Sequence, residues 1–347
     1  MKLVLSPEQR ELRAAVRSFL ASAAPLPAVR AAFDSADGYD RDVYARLNGE
    51  LGLSGLIIPE EYGGAGAGHA DLAVALEETG AALLPGPFLA TVLATIALTR
   101  APDKDLLTGI AEGRITATYL LDGALTGGPG GQGELLLDGV AEQVINGLDA
   151  DVILAGTEHG LVAVNATASG VAREALTTFD LTRRQARVTF ERASARVIPG
   201  PVEGIRDLFA VALAAEQLGV LRAALDAIVA YAKVRVAFGR YIGSYQGVKH
   251  KLADMHGKLE QAESIVRYAA WAADESPAEL PEAAALAQAY VGRACFEVAR
   301  DHLLLHGGIG FTWEHDAHLF YKRAKADEVL LGPPRTHRVR LADLLEL

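Results

Sequence analysis

Apolar residues in the first 112 positions recur at helical spacing. Leu12, Val16 and Phe19/Leu20 fall on one helix face, and Ser6-Pro7-Glu8-Gln9 ahead of them supplies an N-cap serine with proline at the first helical position. The stretch "IIPEEYGGAGAG" (57–68) carries two turn signals and predicts a loop before a second, alanine-rich helical run. Between about 113 and 200 the pattern changes. "RITATYLL", "GELLLDGV", "DVILAG", "GLVAVNA" and "ARVTFERA" are short β-prone runs separated by Gly, Asp and Asn, and they predict strands. The Gly-rich piece "TGGPGGQG" (126–133) has no following Lys-Ser/Thr and no strand-to-helix setting, so it predicts a loop rather than a phosphate cradle. From 201 the helical period returns: Leu218, Leu221, Leu225, Ile228 and Ala232 form one stripe, with Ala and Val over much of the other side. A helix of that kind is buried on several faces. The order predicts an α+β, mainly α chain in three parts: an N-terminal helical domain over 1–112, a small middle β domain over 113–200 and a C-terminal helical domain over 201–347. No internal repeat interrupts that order.

Composition narrows the function classes. The 347 residues are 50% hydrophobic and 22% charged, as in a globular protein. The formal net charge of −11, without a basic block, argues against nucleic acid and anionic membrane surfaces as partners. Cys295 is the single cysteine, which excludes a disulfide framework and a thiolate cluster and suits a reducing cytoplasm. The opening "MKLVLSPEQRELRAAV" mixes charges where a signal peptide needs an apolar core. No run approaches 18 uncharged apolar residues, so no membrane span is expected.

Several chemistries drop out. No GxGxxG follows a strand, which removes a dinucleotide-binding Rossmann unit. "GLSGL" (52–56) lacks the GxSxG spacing, leaving Ser54 as a turn or cap residue. "EHDAH" (314–318) spaces His315 and His318 by three, where zincin ligands need i and i+4; a polar loop entering a helix is expected there, and no metal site.

The carboxy-terminal third is the informative part. "RVAFGRYIGSYQGVKHKLADM" (235–255) puts Arg235, Phe238, Ile242 and Gln246 at a helix end, a turn and the next helix start. A guanidinium so placed can clamp a pyrophosphate bidentately, while an aromatic and an aliphatic side chain sandwich an adenine and the Gln amide bonds phosphate or sugar oxygens. "HGGIGFTWEH" (306–315) adds a Gly-Gly turn that a ligand could approach closely. Each piece has a purely structural alternative: a surface ion pair for Arg235, core packing for Phe238, a helix C-cap for Gly307-Gly308.

Taken together these segments resemble the acyl-CoA dehydrogenase family. The family's R-x-x-F-G-x-x-I-x-x-x-Q segment stands here as Arg235, Phe238, Gly239, Ile242 and Gln246, and its GG-x-G-F turn as Gly307, Gly308, Gly310 and Phe311. "LGLSGLIIPEEYGGAGAG" is similar to the family's ELG-x-x-G-x-x-x-PE-x-YGG-x-G stretch. The resemblance implies a helical domain, a central β domain and a C-terminal four-helix bundle. It also implies FAD as cofactor, an acyl-CoA thioester as substrate, α,β-desaturation as the reaction, and electron-transfer flavoprotein or a similar acceptor as electron partner. A carboxylate takes the α-proton while the β-hydride passes to the flavin. Arg235, Phe238, Ile242, Gln246, Gly307 and Gly308 take the family's places gripping the ADP half of an FAD whose flavin lies in a neighbouring subunit.

The chain departs from the family at the chemistry. Alignment of "YKRAKADEVLLG" on the usual base segment puts Leu331 where the catalytic Glu stands; the alternative base position, on the helix opening the C-terminal bundle, is Phe209. Neither can accept a proton. Asp327 and Glu328 lie about one helical turn from 331. Glu216 shares a stripe with Phe209 and Ala212, and its structural reading is a buried carboxylate paired with an arginine or capped by amides. The middle zone lacks the C-x-T-E-P-x-x-GS-D loop and the Trp strand of flavin-carrying members, and Leu304 replaces a Gln before the Gly-Gly turn. This pattern resembles the small subunit of actinobacterial-type heteromeric α2β2 acyl-CoA dehydrogenases. Two alternatives stay open: a self-sufficient homo-oligomer with a displaced base among Glu216, Asp327 and Glu328, and a flavin-free structural partner.

Overall fold

Ser6 starts the first helix, α1 (Pro7–Ala23), by a reciprocal cap: its hydroxyl accepts from the Gln9 amide at 3.1 Å, and its own amide donates to Gln9 Oε1 at 3.1 Å. The computed structural model describes residues 3–130 and 134–347. Helices α2 (Leu26–Ala32), α3 (Arg41–Leu51), α4 (His69–Ala81), α5 (Phe88–Arg100) and α6 (Lys104–Ala111) follow, with the 57–68 loop between α3 and α4. Strands occupy the middle: β1 (Ala117–Tyr119), β2 (Ala124–Pro129), β3 (Leu135–Ile145), β4 (Val152–Thr157), β5 (Gly160–Asn165), β6 (Val171–Ala175) and β7 (Gln185–Ile198). The rest is helical: α7 (Ile205–Val234), α8 (Gln246–Glu275), α9 (Leu280–Leu305), α10 (Ala317–Leu330) and α11 (Pro334–Leu344), with a two-residue hairpin, β8 (Val236–Ala237) and β9 (Arg240–Tyr241), between α7 and α8.

Two compact units emerge, neither of them a single stretch of chain. One contains residues 29–68 and 85–209. Its sheet runs β1-β4-β5-β7-β3-β2, with β6 also on β7; only β1 and β4 pair in parallel. The long strand β7 holds the sheet together, because its first half pairs with β3 and β6 and its second with β3 and β5. Leu137, Ala141, Val162, Val188 and Phe190 build the core beneath it. The 126–133 piece differs from expectation. Residues 124–129 form β2, because Gly127 and Gly128 offer their backbone to Leu137 and Leu136 of β3, a pairing that needs no side chain; residues 131–133 lie outside the described residues.

The other unit contains residues 1–28, 69–84 and 210–347. Leu218, Leu221, Leu225, Ile228 and Ala232 of α7 are all buried, and the residues around the helix from Leu208 to Leu221 are buried too. α7 is the one helix among the described residues long and apolar enough to cross a membrane, but 89% of that apolar window is buried inside the molecule. Buried glutamines tie the bundle's helices: Gln217 Nε2 donates to the Asp327 carbonyl at 3.0 Å, and Gln288 Nε2 to that of Ala210 at 2.7 Å. Polar groups enclosed this way need such partners. Glu77 of α4, fully enclosed, meets Arg13 (2.6 Å), Arg222 (2.9 Å) and Arg267. Burial alone would raise its carboxyl, but these guanidinia, Arg267 foremost, hold it below its ordinary value of 4.5.

Candidate functional site

The segment 235–246 folds as a compact, outward-facing hairpin. The Arg235 amide still donates to the Tyr231 carbonyl at 2.9 Å, extending α7 by one residue. The chain then turns back through Phe238 (φ 51°) and Gly239 (φ 79°), both left-handed, so Val236 pairs with Tyr241 and Ala237 with Arg240. This is the geometry of a two-residue primed turn, in which Gly239 is at ease and Phe238 is held at a cost of about 1–2 kcal/mol. Phe238 is 99% exposed at the tip, and Arg235 is exposed beside it. The Ile242 amide donates to the Arg235 carbonyl at 2.8 Å and opens a short 3-10 turn, after which Gln246 is the first residue of α8. The N-cap residue, Tyr245, makes no side-chain cap, so the leading amides of α8 keep their partial positive charge beside Gln246.

The Gly-Gly turn lies at the same end of the bundle. Gly307 has φ 68°, and a Cβ at Gly307 or Gly308 would find no heavy atom within 4 Å, so the backbone there is open to close approach. His306, just before the turn, lies with its ring centroid 4.4 Å from that of Tyr231, one helical turn ahead of Arg235. His306 Nδ1 bonds the His302 carbonyl at 2.8 Å, and its ring also meets those of His302 (4.7 Å) and His315 (4.2 Å). Burial, reinforced by the other two rings, pushes His302 down to about 3. Burial and His315 lower His306 as well. His315 lies before α10 and accepts from the Ala317 amide at 3.1 Å through Nδ1, while His318 is buried inside α10.

Charge and apolar surface concentrate at this end. Between Asp226 and Asp254 the chain carries Lys233, Arg235, Arg240, Lys249 and Lys251 and no acid, in a protein of net charge −11. Val234, Val236, Phe238 and Tyr241 are exposed on the hairpin side, and Leu304, Phe311 and Trp313 on the turn side. Exposed apolar groups clustered in this way mark a binding surface. Open amides, the exposed Arg235 guanidinium, a naked aromatic face and an accessible Gly-Gly backbone fit the ADP half of a dinucleotide: a pyrophosphate anion with a stacking base. The acid-free run of cations was readable in the sequence, and it would have pointed to Arg240 and Lys249 alongside Arg235.

Leu331 and Phe209, the places where the sequence reading expects a base, carry no proton acceptor. Leu331 is buried at the end of α10, and the left-handed Gly332 (φ 102°) and Pro333 then redirect the chain into α11. Phe209 is fully enclosed, edge-to-face on Tyr119 of β1 at 4.9 Å. The three nearby carboxylates are engaged or enclosed. Arg323 Nη1 donates to Glu216 Oε1 at 2.9 Å, both buried. Lys325 Nζ donates to Glu328 at 2.7 Å, and Asp327 is fully buried with its carbonyl taken by Gln217. In the sheet unit, the segment after β1 lines an open pocket of about 580 Å³ with Tyr119, Asp122, Thr126, His159 and Arg206. Arg206 Nη1 donates to the Leu121 carbonyl there at 2.7 Å.

Residues 6–104 match the acyl-CoA dehydrogenase N-terminal domain and residues 207–345 the acyl-CoA dehydrogenase C-terminal domain. The chain belongs to the acyl-CoA dehydrogenase family of flavoprotein oxidoreductases. It is 39% identical to the Mycobacterium tuberculosis acyl-CoA dehydrogenase IpdE2 over 95% of each chain. Among solved structures it is similar to the Tcur3481-Tcur3483 steroid ACAD G363A variant, at 30% identity and TM-score 0.91 over 98% of each chain. It is also similar to the ChsE4-ChsE5 complex from Mycobacterium tuberculosis, at 26% identity and TM-score 0.90 over 100% of this chain and 99% of that one.

Proposed function

We propose that this chain is one subunit of a heteromeric FAD-dependent acyl-CoA dehydrogenase, holding the ADP half of an FAD whose flavin and catalytic carboxylate belong to a homologous partner chain. The observation that carries the reading is a contrast. The hairpin with Arg235, Phe238, Ile242 and Gln246 and the Gly307-Gly308 turn are open and cationic, while Leu331 and Phe209 fill both base positions with buried hydrocarbon. FAD, when bound, would supply the acceptor for the β-hydride of an acyl-CoA thioester. Arg235 pairs with the pyrophosphate, Phe238 and Ile242 enclose the adenine, Gln246 bonds phosphate or sugar oxygens, and the Gly-Gly turn lets the backbone approach. The exposed apolar rim around the hairpin packs against the partner and keeps water from the cofactor's ADP end. Two of the neighbours are named as two-component assemblies, and one of those as a steroid ACAD, which makes a steroid-derived acyl-CoA the first substrate to assay. Electrons leave to electron-transfer flavoprotein or a similar acceptor, in the cytoplasm, where the buried Cys295 thiol stays reduced.

The test is co-expression with a homologous chain that carries the base glutamate, compared with this chain purified alone. The expected result is a yellow hetero-oligomer that desaturates acyl-CoA, and a chain that does neither alone. Arg235→Ala in the complex is expected to weaken FAD binding about ten- to a hundredfold, as loss of a charge-assisted bidentate contact does. A flavin-loaded, active homo-oligomer overturns the reading in favour of a displaced base. A complex without flavin leaves the chain a structural partner only.

A further inference from the structure

β8 and β9 are two residues long each, and so small a two-stranded hairpin does not hold its shape in water by itself. Its turn is also strained at Phe238, and Phe238 touches solvent on every side. Something outside the hairpin must fix it if Arg235 and Phe238 are to meet a ligand in one geometry. Tyr245 does so from the other side of the turn. Its hydroxyl donates to the Ala237 carbonyl at 2.9 Å, eight residues back, and the Arg240 guanidinium lies over its ring, 3.8 Å from the centroid. Tyr245 is at the same time the N-cap of α8, and its carbonyl accepts from the Lys249 amide at 3.0 Å. One side chain thus grips both strands of the hairpin, β8 through the carbonyl and β9 through the guanidinium, and fastens them to the start of a 30-residue helix. Gly243 closes the other side: a Cβ there would stand 2.8 Å from the Ala232 carbonyl, so the connection is pressed against the end of α7.

We infer that Tyr245 is a positioning residue for FAD, setting the Arg235–Phe238 hairpin in its binding geometry before the ligand arrives. The inference rests on the proposed cofactor site and adds to it a residue that touches no part of the ligand. Fixing the hairpin in advance removes the ordering that binding would otherwise have to supply. Arg240 has a share in this: its guanidinium is engaged over the Tyr245 face, leaving Arg235 as the guanidinium at the end of α7.

The experiment uses the complex with the base-bearing homologous chain. FAD affinity is measured by flavin fluorescence for the wild type, Tyr245→Phe, Tyr245→Ala, Arg235→Ala and the double variant Tyr245→Ala/Arg235→Ala. Melting temperature and amide exchange at residues 236–242 are followed in parallel, with and without FAD. Tyr245→Phe keeps the ring beneath Arg240 and loses one hydrogen bond, so FAD binding is expected to weaken roughly three- to tenfold. Tyr245→Ala is expected to weaken it further, with faster exchange at the Ile242 amide in the FAD-free protein and partial recovery in Tyr245→Phe. Because Tyr245 positions Phe238 as well as Arg235, the losses are expected to be less than additive: Tyr245→Ala weakens FAD binding by a smaller factor in the Arg235→Ala background than in the wild type. If Arg235→Ala weakens binding and neither Tyr245 variant does, the positioning role is overturned and the cofactor site stands. If Arg235→Ala has no effect, the site itself is overturned. Fully additive losses would make Tyr245 an independent contact and also overturn the positioning role. Should Tyr245→Ala not fold, Tyr245→Phe alone decides.

Discussion

Gly80 of α4 and Gly219 of α7 meet where the two helices cross, and each lets the other helix's backbone into the space of a side chain. A Cβ on Gly80 would stand 2.2 Å from the Glu216 carbonyl oxygen, and one on Gly219 would stand 1.8 Å from that of Glu77. The obstructing atoms are main chain, which cannot swing aside as a flexible side chain would. Gly219→Ala therefore forces the helices apart and disturbs Glu77 and Glu216, both buried and both ion-paired. Overpacking of this kind costs about 1–3 kcal/mol or more. A lower melting temperature is expected for Gly219→Ala, even though alanine is the better helix former. An alanine variant as stable as the wild type would show that the crossing has room to relax.

Glu77 gives the second prediction. Removing its charge leaves the three guanidinia of Arg13, Arg222 and Arg267 sharing Glu78 and Glu263, and breaking a buried ion pair by removing one partner costs roughly 3–5 kcal/mol. Glu77→Gln is expected to melt well below the wild type. The carboxyl is held below its ordinary value in the folded chain, so its stabilisation is present above the unfolded pKa and is lost as pH falls through the folded one. Wild-type stability should therefore drop on the acid side of about pH 4.3, and Glu77→Gln should show a shallower drop over the same range. Equal acid slopes in urea unfolding would refute the assignment.

Much of this architecture could be read from the sequence because its signals are local. The Ser6-Pro7 cap, the α7 stripe and the 235–246 and 306–311 segments each declare themselves within a few residues. β2 and β6 did not. β2 is a strand only because β3 offers it a ladder, and the charges in "VAREA" of β6 hide a strand that needs β7 beside it. The ion pairs were out of reach for the same reason: Glu77 meets arginines 64, 145 and 190 positions away, and Glu216 meets Arg323, 107 positions away. Residue type left Glu216 open as a displaced base, an arginine-paired carboxylate or an amide-capped one; only the fold could show the pair with Arg323. At the candidate site the sequence supplied Arg235, Phe238 and Gln246 but not Tyr245, whose part depends on a bond across the turn.

His302 supplies a second pH prediction, at milder acidity. Burial, with His306 and His315 nearby, moves it from 6.5 to about 3 in the folded chain. The unfolded chain takes up a proton below about 6.5 and the folded chain does not. Stability contributed by this residue is thus complete above that pH and declines as pH falls, by about 1.4 kcal/mol per unit once the unfolded histidine is fully charged. His302 Nδ1 has no hydrogen-bond partner, so His302→Phe loses no bond at that atom. The variant is expected to lose less melting temperature than the wild type between pH 7 and pH 5.5, the remaining decline belonging to His306, which burial and His315 also lower. A variant that declines as steeply as the wild type would assign the slope elsewhere.

The last prediction concerns Leu331 and Phe209. A positioned general base contributes about 10²–10⁴-fold, or roughly 3–5.5 kcal/mol of barrier. This chain has hydrocarbon at both usual places, so little or no acyl-CoA dehydrogenation is expected from it alone, even with FAD added. Leu331→Glu does not rescue it. The new carboxylate would start from a buried position at the end of α10, and the family's flavin-side loop remains absent after β1. Phe209→Glu fares no better, because it places a charge against Tyr119 in a fully enclosed contact and is expected to lower stability first. Activity should appear on mixing with the base-bearing homologue and disappear when that chain's catalytic glutamate is changed to glutamine, with FAD content unchanged. Steady-state assays of the two single chains and of the mixture decide it. Robust turnover by this chain alone would move the search for a base to Glu216, Asp327 and Glu328, beginning with Glu216→Gln.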